Sequence, residues 1–143
     1  MMLIKEIAVY VNILNSRIKK NFFDELQANG INVTPEQYLV LDILWEQQSL
    51  SQQNIADIIQ KDKNSVTKII DSLEKKSLVT RVVDENDRRI NKIELTDEGL
   101  ALEKITTDVA INFMNDVIQS IDTQDLDTFV KVMLQMKANL EQE

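Results

Sequence analysis

The chain has 143 residues, a formal net charge of −8, 43% apolar residues, and only two Gly and one Pro. That length suits one domain, or one domain with helical extensions, and so few breakers favour long helices over a sandwich of short strands. With no Cys, disulfides, thiolate catalysis and thiol-based peroxide sensing are excluded; with no His, the commonest general acid–base and the commonest zinc ligand are missing.

Residues 3 to about 28 carry Ile4, Ile7, Val11, Leu14, Ile18, Phe22 and Leu26 at steps of three and four, which predicts one long helix. Ile13 and Phe23 widen its apolar stripe, and Gly30 is the expected stop. Thr34-Pro35-Glu36-Gln37 opens the next helix with an N-cap Thr, Pro at the first helical position and Gln closing a capping box. Tyr38, Leu41, Leu44 and Trp45 ride on it, and it ends near residues 46 to 48.

Ser51 caps a short predicted helix from Gln52 to about Ile59, with Ile55, Ile58 and Ile59 turned inward. After a brief turn at Gln60-Lys61, Asp62 caps a second helix that buries Val66, Ile69, Ile70 and Leu73. Two capped helices joined so tightly form a helix-turn-helix pattern. The period then changes from 3.6 to 2. Residues 78–83 and 90–95 read as paired strands around a wholly polar tip at 84–89, a projecting wing. Thr96 restarts a helix expected to run to about Ser120 along Leu102, Ile105, Val109, Phe113 and Val117. Asp122 caps the last helix, which carries Leu126, Phe129, Val130, Met133, Met136 and Leu140 on its buried face.

The expected fold is therefore mainly α with a small β-hairpin wing (α+β): a winged helix-turn-helix at 33–96, flanked by helical dimerisation regions at 1–32 and 97–143. No apolar run is long enough to span a bilayer and the first residues lack the layout of a secretory signal, so a cytoplasmic protein with no membrane partner is expected. No carboxylate spacing matches a metal-binding loop, and no constellation of residues suggests catalysis; no metal, no cofactor and no enzymatic activity are expected.

Charge distribution points to the partner. Residues 61–92 hold nine Lys or Arg against six acids, whereas the other residues hold seven basic against eighteen acidic. A basic window in an acidic chain is the pattern of a nucleic-acid reader with a separate acidic body. Early in the second helix of the pair, Lys63, Asn64, Ser65, Thr67 and Lys68 form the side that would meet base edges in a major groove. Asn suits bidentate adenine contact and Lys can reach guanine acceptors. At the hairpin tip, Arg88 or Arg89 could enter a minor groove, with Asp87 directing a guanidinium by a charge-assisted pair. An ordinary amphipathic helix followed by a solvated turn would show much the same composition. The order of elements, helix, turn, helix, hairpin, is what separates the two.

From Leu50 to Gly99 the chain resembles the multiple-antibiotic-resistance regulator (MarR) family of winged helix-turn-helix proteins. The resemblance is carried by Leu50-Ser51-Gln52 with Ile55-Ala56, by Ser65-Val66-Thr67-Lys68, by Leu73-Glu74-Lys75-Lys76, and by Leu78-Val79 with Arg81. Most specific is a wing signature of Asp, any residue, Arg, five residues and Leu-Thr, here Asp87-Arg88-Arg89 through Leu95-Thr96, followed by Asp97-Glu98-Gly99. Two loop positions depart from the pattern: Gln60 and Ser77 stand where Gly is usual.

The resemblance implies a homodimeric repressor that binds double-stranded DNA at a palindromic operator, with its first and last helices interlocked between subunits. It assigns Arg89 to the minor groove with Asp87 orienting it, places Ser51, Gln52 and Arg81 near DNA phosphate, and puts Lys63, Asn64, Ser65, Thr67 and Lys68 on the recognition face. It also implies release by a small phenolic or anionic effector, for which Tyr10, Arg17, Tyr38 and Trp45 are the candidate lining residues. Independently, the apolar stripes of the long helices are too broad for a winged domain of about 50 residues to cover. The competing expectation is a winged-helix module for protein–protein assembly without DNA binding, which the acidic total charge keeps open.

Overall fold

The computed structural model describes residues 2–142; Met1 and Glu143, the outermost residues of the two expected helical regions, lie outside the described residues. In chain order the elements are α1 (Met2–Ala28), α2 (Pro35–Gln47), β1 (Ser49–Ser51), α3 (Gln52–Ile59), α4 (Lys63–Lys75), β2 (Val79–Val83), β3 (Asn91–Leu95), α5 (Asp97–Ala101), α6 (Glu103–Val117) and α7 (Thr123–Glu141). They fall into two compact units, Met1–Ala110 and Ile111–Glu143. Among the described residues no helix is long and apolar enough to cross a membrane.

In the first unit, the caps are those the sequence implies. The Thr34 hydroxyl accepts from Gln37 N at 3.2 Å while Gln37 Oε1 accepts from Thr34 N at 3.1 Å, a reciprocal capping box. Ser51 caps α3 and Asp62 caps α4, each through its side-chain oxygen. The core forms where α2, α3 and α4 turn their apolar sides to a three-stranded antiparallel sheet. Leu41, Leu44, Ile55, Val66, Ile70, Leu73 and Ile93 are wholly buried.

The sheet contains a strand that the sequence reading lacked. Its order is β1-β3-β2, with Leu50 opposite Ile93 and Ile93 opposite Arg81. Three residues between two helices cannot display a period of 2; β1 exists because β3 offers it a partner more than forty residues away. The short helix also differs in detail. Ile55 and Ala56 are buried as its inner face, while Ile58 is 46% exposed and Ile59 half-buried.

A second difference lies after the wing, where one predicted helix is two. Trp45 Nε1 donates to the Gly99 carbonyl at 3.0 Å. In an unbroken helix that carbonyl would accept from the amide four residues on, so the indole competes for it where α5 gives way to α6 at Leu102. Gly99 itself is obligatory, because a Cβ there would run into the Leu78 carbonyl oxygen.

Outside this core the apolar stripes stay open. On α1 only Phe22 and Leu26 are buried. In the second unit α7 has the expected cap at Asp122, yet none of its described residues is buried. The stripe expected to face inward, from Phe129 to Leu140, is exposed in the single chain.

Candidate nucleic-acid interface

The first turns of α4 project Lys63, Asn64 and Lys68 into solvent, and their side chains have no polar partner among the described residues. Val66, the one apolar residue in that stretch, is buried beneath them. The two hydroxyls expected to join this face are engaged inside the chain. Ser65 donates its hydroxyl proton to Asp62 Oδ2 at 2.9 Å while its amide donates to Asp62 Oδ1 at 2.8 Å. These bonds hold the exposed Asp62 carboxyl below its ordinary pKa, first through the Ser65 amide and then its hydroxyl. Thr67 Oγ1 donates to the Lys63 carbonyl at 2.9 Å and accepts from Gln52 Nε2 at 2.7 Å.

The residues expected near phosphate also bond within the chain. Ser51 accepts from the Asn54 amide as the α3 cap. Gln52 reaches Thr67, joining α3 to α4. Arg81 lies with its Nη2 at 2.7 Å from Asp71 and its Nη1 at 2.8 Å from Glu74, and its side chain is only 22% exposed. Both carboxylates come from the outer side of α4, so Arg81 staples β2 to the second half of that helix. Lys76 is likewise drawn off the surface. Its Nζ donates to the Asn32 carbonyl and to Gln37 Oε1 at 3.0 and 2.8 Å, and burial pushes its pKa down. Gln37 also donates to Ser72 Oγ at 2.8 Å, so one buried amide ties α2 to α4. Residues thirty-five and thirty-nine positions apart give no sequence signal of such a network.

The wing is built on two aspartates. Asp84 Oδ1 accepts from the amides of Asn86 and Asp87 at 2.7 and 3.2 Å, an Asx-type turn that starts the tip, and Lys92 stands 3.5 Å from its other oxygen. Asp87 then holds Arg89: its Oδ1 accepts from Arg89 N and Nε, both at 3.0 Å, and its Oδ2 from Nη2 at 3.0 Å. Hydrogen bonds from Arg89 lower the Asp87 pKa and the same pair raises that of Arg89. Arg89 is aimed without being covered, since its side chain remains 91% exposed. Arg88 beside it has no ion pair among the described residues. Asp84, unlike Asp87, was not singled out by the sequence; the signal that could have found it is Asp at the head of a polar turn.

Of the four candidate effector residues, Tyr38 and Trp45 are brought together, their rings 6.2 Å apart, with Phe22 edge-on to Tyr38 at 5.2 Å. Tyr10 and Arg17 are exposed on α1 and do not join that cluster. Burial first, and then the Asp42 charge and hydrogen bond, raise the Tyr38 pKa; burial and the nearby Glu46 raise that of Asp42. An open groove of about 400 Å³ adjoins Trp45, lined by Asp42, Glu46, Glu103, Asp108, Lys104 and Thr107.

Residues 33–90 match the sequence profile of the MarR family. The chain is 32% identical over 79 residues to an organic hydroperoxide resistance transcriptional regulator of Bacillus subtilis, covering 55% of this chain and 54% of that one. It is 33% identical over 97 residues to the HTH-type transcriptional repressor MdtR of the same organism, covering 68% and 61%. Thus the matches span a little over half the length of these two relatives. In fold, the chain superimposes on the MepR–DNA complex of S. aureus with a TM-score of 0.85 at 22% identity, over 92% of this chain and 96% of that one. Helix-turn-helix, wing signature and flanking helices agree with this likeness in sequence and fold: residues 33–90 form a MarR-type segment, and the chain has the fold of the MarR-family structures it resembles.

Proposed function

We propose that the chain is a sequence-specific DNA-binding transcriptional regulator, a homodimeric repressor on a palindromic operator. Residues 33–96 form the reading domain, and 1–32 and 97–143 the dimerising regions. The observation that carries this reading is the pair of exposed cationic tips: Lys63, Asn64 and Lys68 unpaired on α4, and Arg89 aimed by Asp87 at the end of the wing. A helix in the major groove and an arginine in the minor groove would use those groups together. The internal pairing of Arg81 and Lys76 further implies that the basic window acts through these projecting groups rather than through its total charge.

Dimerisation is supported by the open stripes. On α7, Phe129, Val130, Val132 and Leu134 are each about half exposed, and on α1 Met2, Leu3 and Ile4 more than that. Contiguous apolar surface of this kind marks an association face. A second subunit would present a second α4 about one DNA turn, roughly 34 Å, from the first.

Effector control belongs to the same proposal, with one constraint. The groove beside Trp45 carries four carboxylates against one lysine, and that field repels a phenolate or carboxylate. Control by thiol oxidation is excluded, since this chain has no Cys.

Selection of short duplexes from a random pool tests the proposal. An enriched palindrome whose affinity falls steeply with salt is expected. No enriched sequence, with binding insensitive to salt, would leave a winged-helix assembly module instead.

A further inference from the structure

We infer that Thr67 reads thymine through its methyl group, and that Gln52 is the positioning residue that commits it to this task. The inference rests on the reading of α4 as the recognition helix.

A hydroxyl has one proton and two lone pairs. In Thr67 the proton goes to the Lys63 carbonyl, one turn back on the same helix, and a lone pair receives Gln52 Nε2 from α3. No donor remains for the acceptors that crowd the major groove: purine N7, guanine O6 and thymine O4. Both bonds also fix the side-chain torsion, because one partner is backbone of α4 and the other the first residue of a separate helix. Beyond one leftover lone pair, which can only accept, what the residue still has to offer a base is Cγ2. The only apolar feature on a major-groove edge is the thymine C5-methyl.

Ser65 supplies the contrast. Its hydroxyl proton is also spent, on Asp62, but it has no methyl, so the two hydroxyl residues of this turn are not equivalent. Asn64 and Lys68, which flank Thr67 along the helix, keep their polar heads free. The face thus combines hydrogen-bonding groups with one apolar contact. Gln52, placed near phosphate by family position, is assigned instead to the inside of the helix-turn-helix.

The test uses the full chain and the duplex it selects. Each thymine is replaced by deoxyuridine, symmetrically in both half-sites, which removes a methyl and no hydrogen bond. At one thymine position the wild type should lose about fourfold in affinity per half-site, the worth of one buried methyl-sized group. Thr67→Ser should show no penalty at that position and unchanged penalties elsewhere, whereas Thr67→Val should retain it, because a helix holds Val in one rotamer without hydrogen bonds whereas Thr has two to choose from. Gln52→Ala, with its helical circular dichroism intact, should shrink the same penalty and no other. If no thymine is sensitive, if Thr67→Ser keeps the full penalty, or if folded Thr67→Val loses it, the methyl reading is wrong while DNA binding stands. A full penalty in Gln52→Ala would remove Gln52 from the scheme. Failure to select any duplex would overturn this inference and the proposed function together.

Discussion

The winged segment and α7 use the same raw material to opposite ends. In the winged segment, apolar residues at helical spacing on α4 become Val66, Ile70 and Leu73, all wholly buried against neighbouring helices and the sheet. On α7 an equally regular stripe stays open: Phe129 is 48% exposed and Val130 50%. A periodic stripe states which side of a helix must be covered and nothing about what covers it. The first region finds its cover among elements close in the same chain. The second, on the proposed reading, finds it in another copy.

The strongest way to break that contrast is to place charge on the open stripe. Val130→Asp with Met133→Asp would put four unpaired carboxylates into a two-fold interface. The dimer dissociation constant should rise by about three orders of magnitude or more, roughly 4 kcal/mol. Sedimentation at micromolar concentration would then show a monomer with the winged segment still folded. A dimer that survives both substitutions would mean that α7 lies outside the interface.

A cavity in the closed core should behave differently. Leu73→Ala should cost about 2–5 kcal/mol of unfolding free energy. Because the cover of Leu73 is intramolecular, that loss, read from urea denaturation at several protein concentrations, should be the same at each. Stability coupled to α7 should instead grow with concentration. Equal concentration dependence for both losses would erase the distinction between the two regions.

How much of this was legible in the sequence follows the same division. Elements specified by local chemistry were legible: the Thr34/Gln37 capping box, the Asp62 cap and the strands of the wing are fixed by neighbours a few residues away. Features made by distant partners were not. β1 needs β3, the break between α5 and α6 involves Trp45, and the Lys76–Gln37–Ser72 network joins α2 to α4. The candidate site divides likewise. Asp87 and Arg89 sit two residues apart, and the structure has them paired as expected. The hydroxyls of Ser65 and Thr67 bond within the chain, as does the guanidinium of Arg81 that the family resemblance puts near phosphate, and neither composition nor motif shows a polar group's partner.

The wing lies outside the core and should be separable from both regions. Arg89→Ala should weaken operator binding by about 1.5–3 kcal/mol, the range for a hydrogen bond made by a charged group, with melting temperature and dimer unchanged. Asp87 sets the pH limits of this effect. Its pKa is lowered in the folded chain, so the pair is fully formed above the ordinary carboxylate range and is lost only as pH falls through the lowered value. The wild-type advantage over Arg89→Ala, measured by fluorescence anisotropy, should therefore be flat from about pH 5 to 8. A decline within that window would assign the contact to another group.

The smallest effect concerns a helix end. α1 and α4 terminate in the same Schellman pattern: Ile31 N donates to Leu26 O and Gly30 N to Gln27 O in one, Leu78 N to Leu73 O and Ser77 N to Glu74 O in the other. The left-handed residue is Gly30 at φ 73° in α1 but Ser77 at φ 62° in α4. A side chain in that region costs about 1–2 kcal/mol. Glycine returns roughly 0.5–1 of it as extra freedom in the unfolded chain. Ser77→Gly should therefore stabilise the winged segment by about 0.5–1 kcal/mol, a rise of a few degrees in melting temperature. Nothing is lost in exchange, because the contact Ser77 makes with Thr96 uses its backbone carbonyl at 2.6 Å. Gln60, at φ 57°, should gain less from the same change, since its side-chain amide donates to the Asp57 carbonyl at 2.7 Å and glycine would forfeit that bond. Thermal melts of the two variants should thus rank Ser77→Gly above Gln60→Gly. The reverse order would show that the strain at the α4 terminus is relieved by something other than backbone conformation.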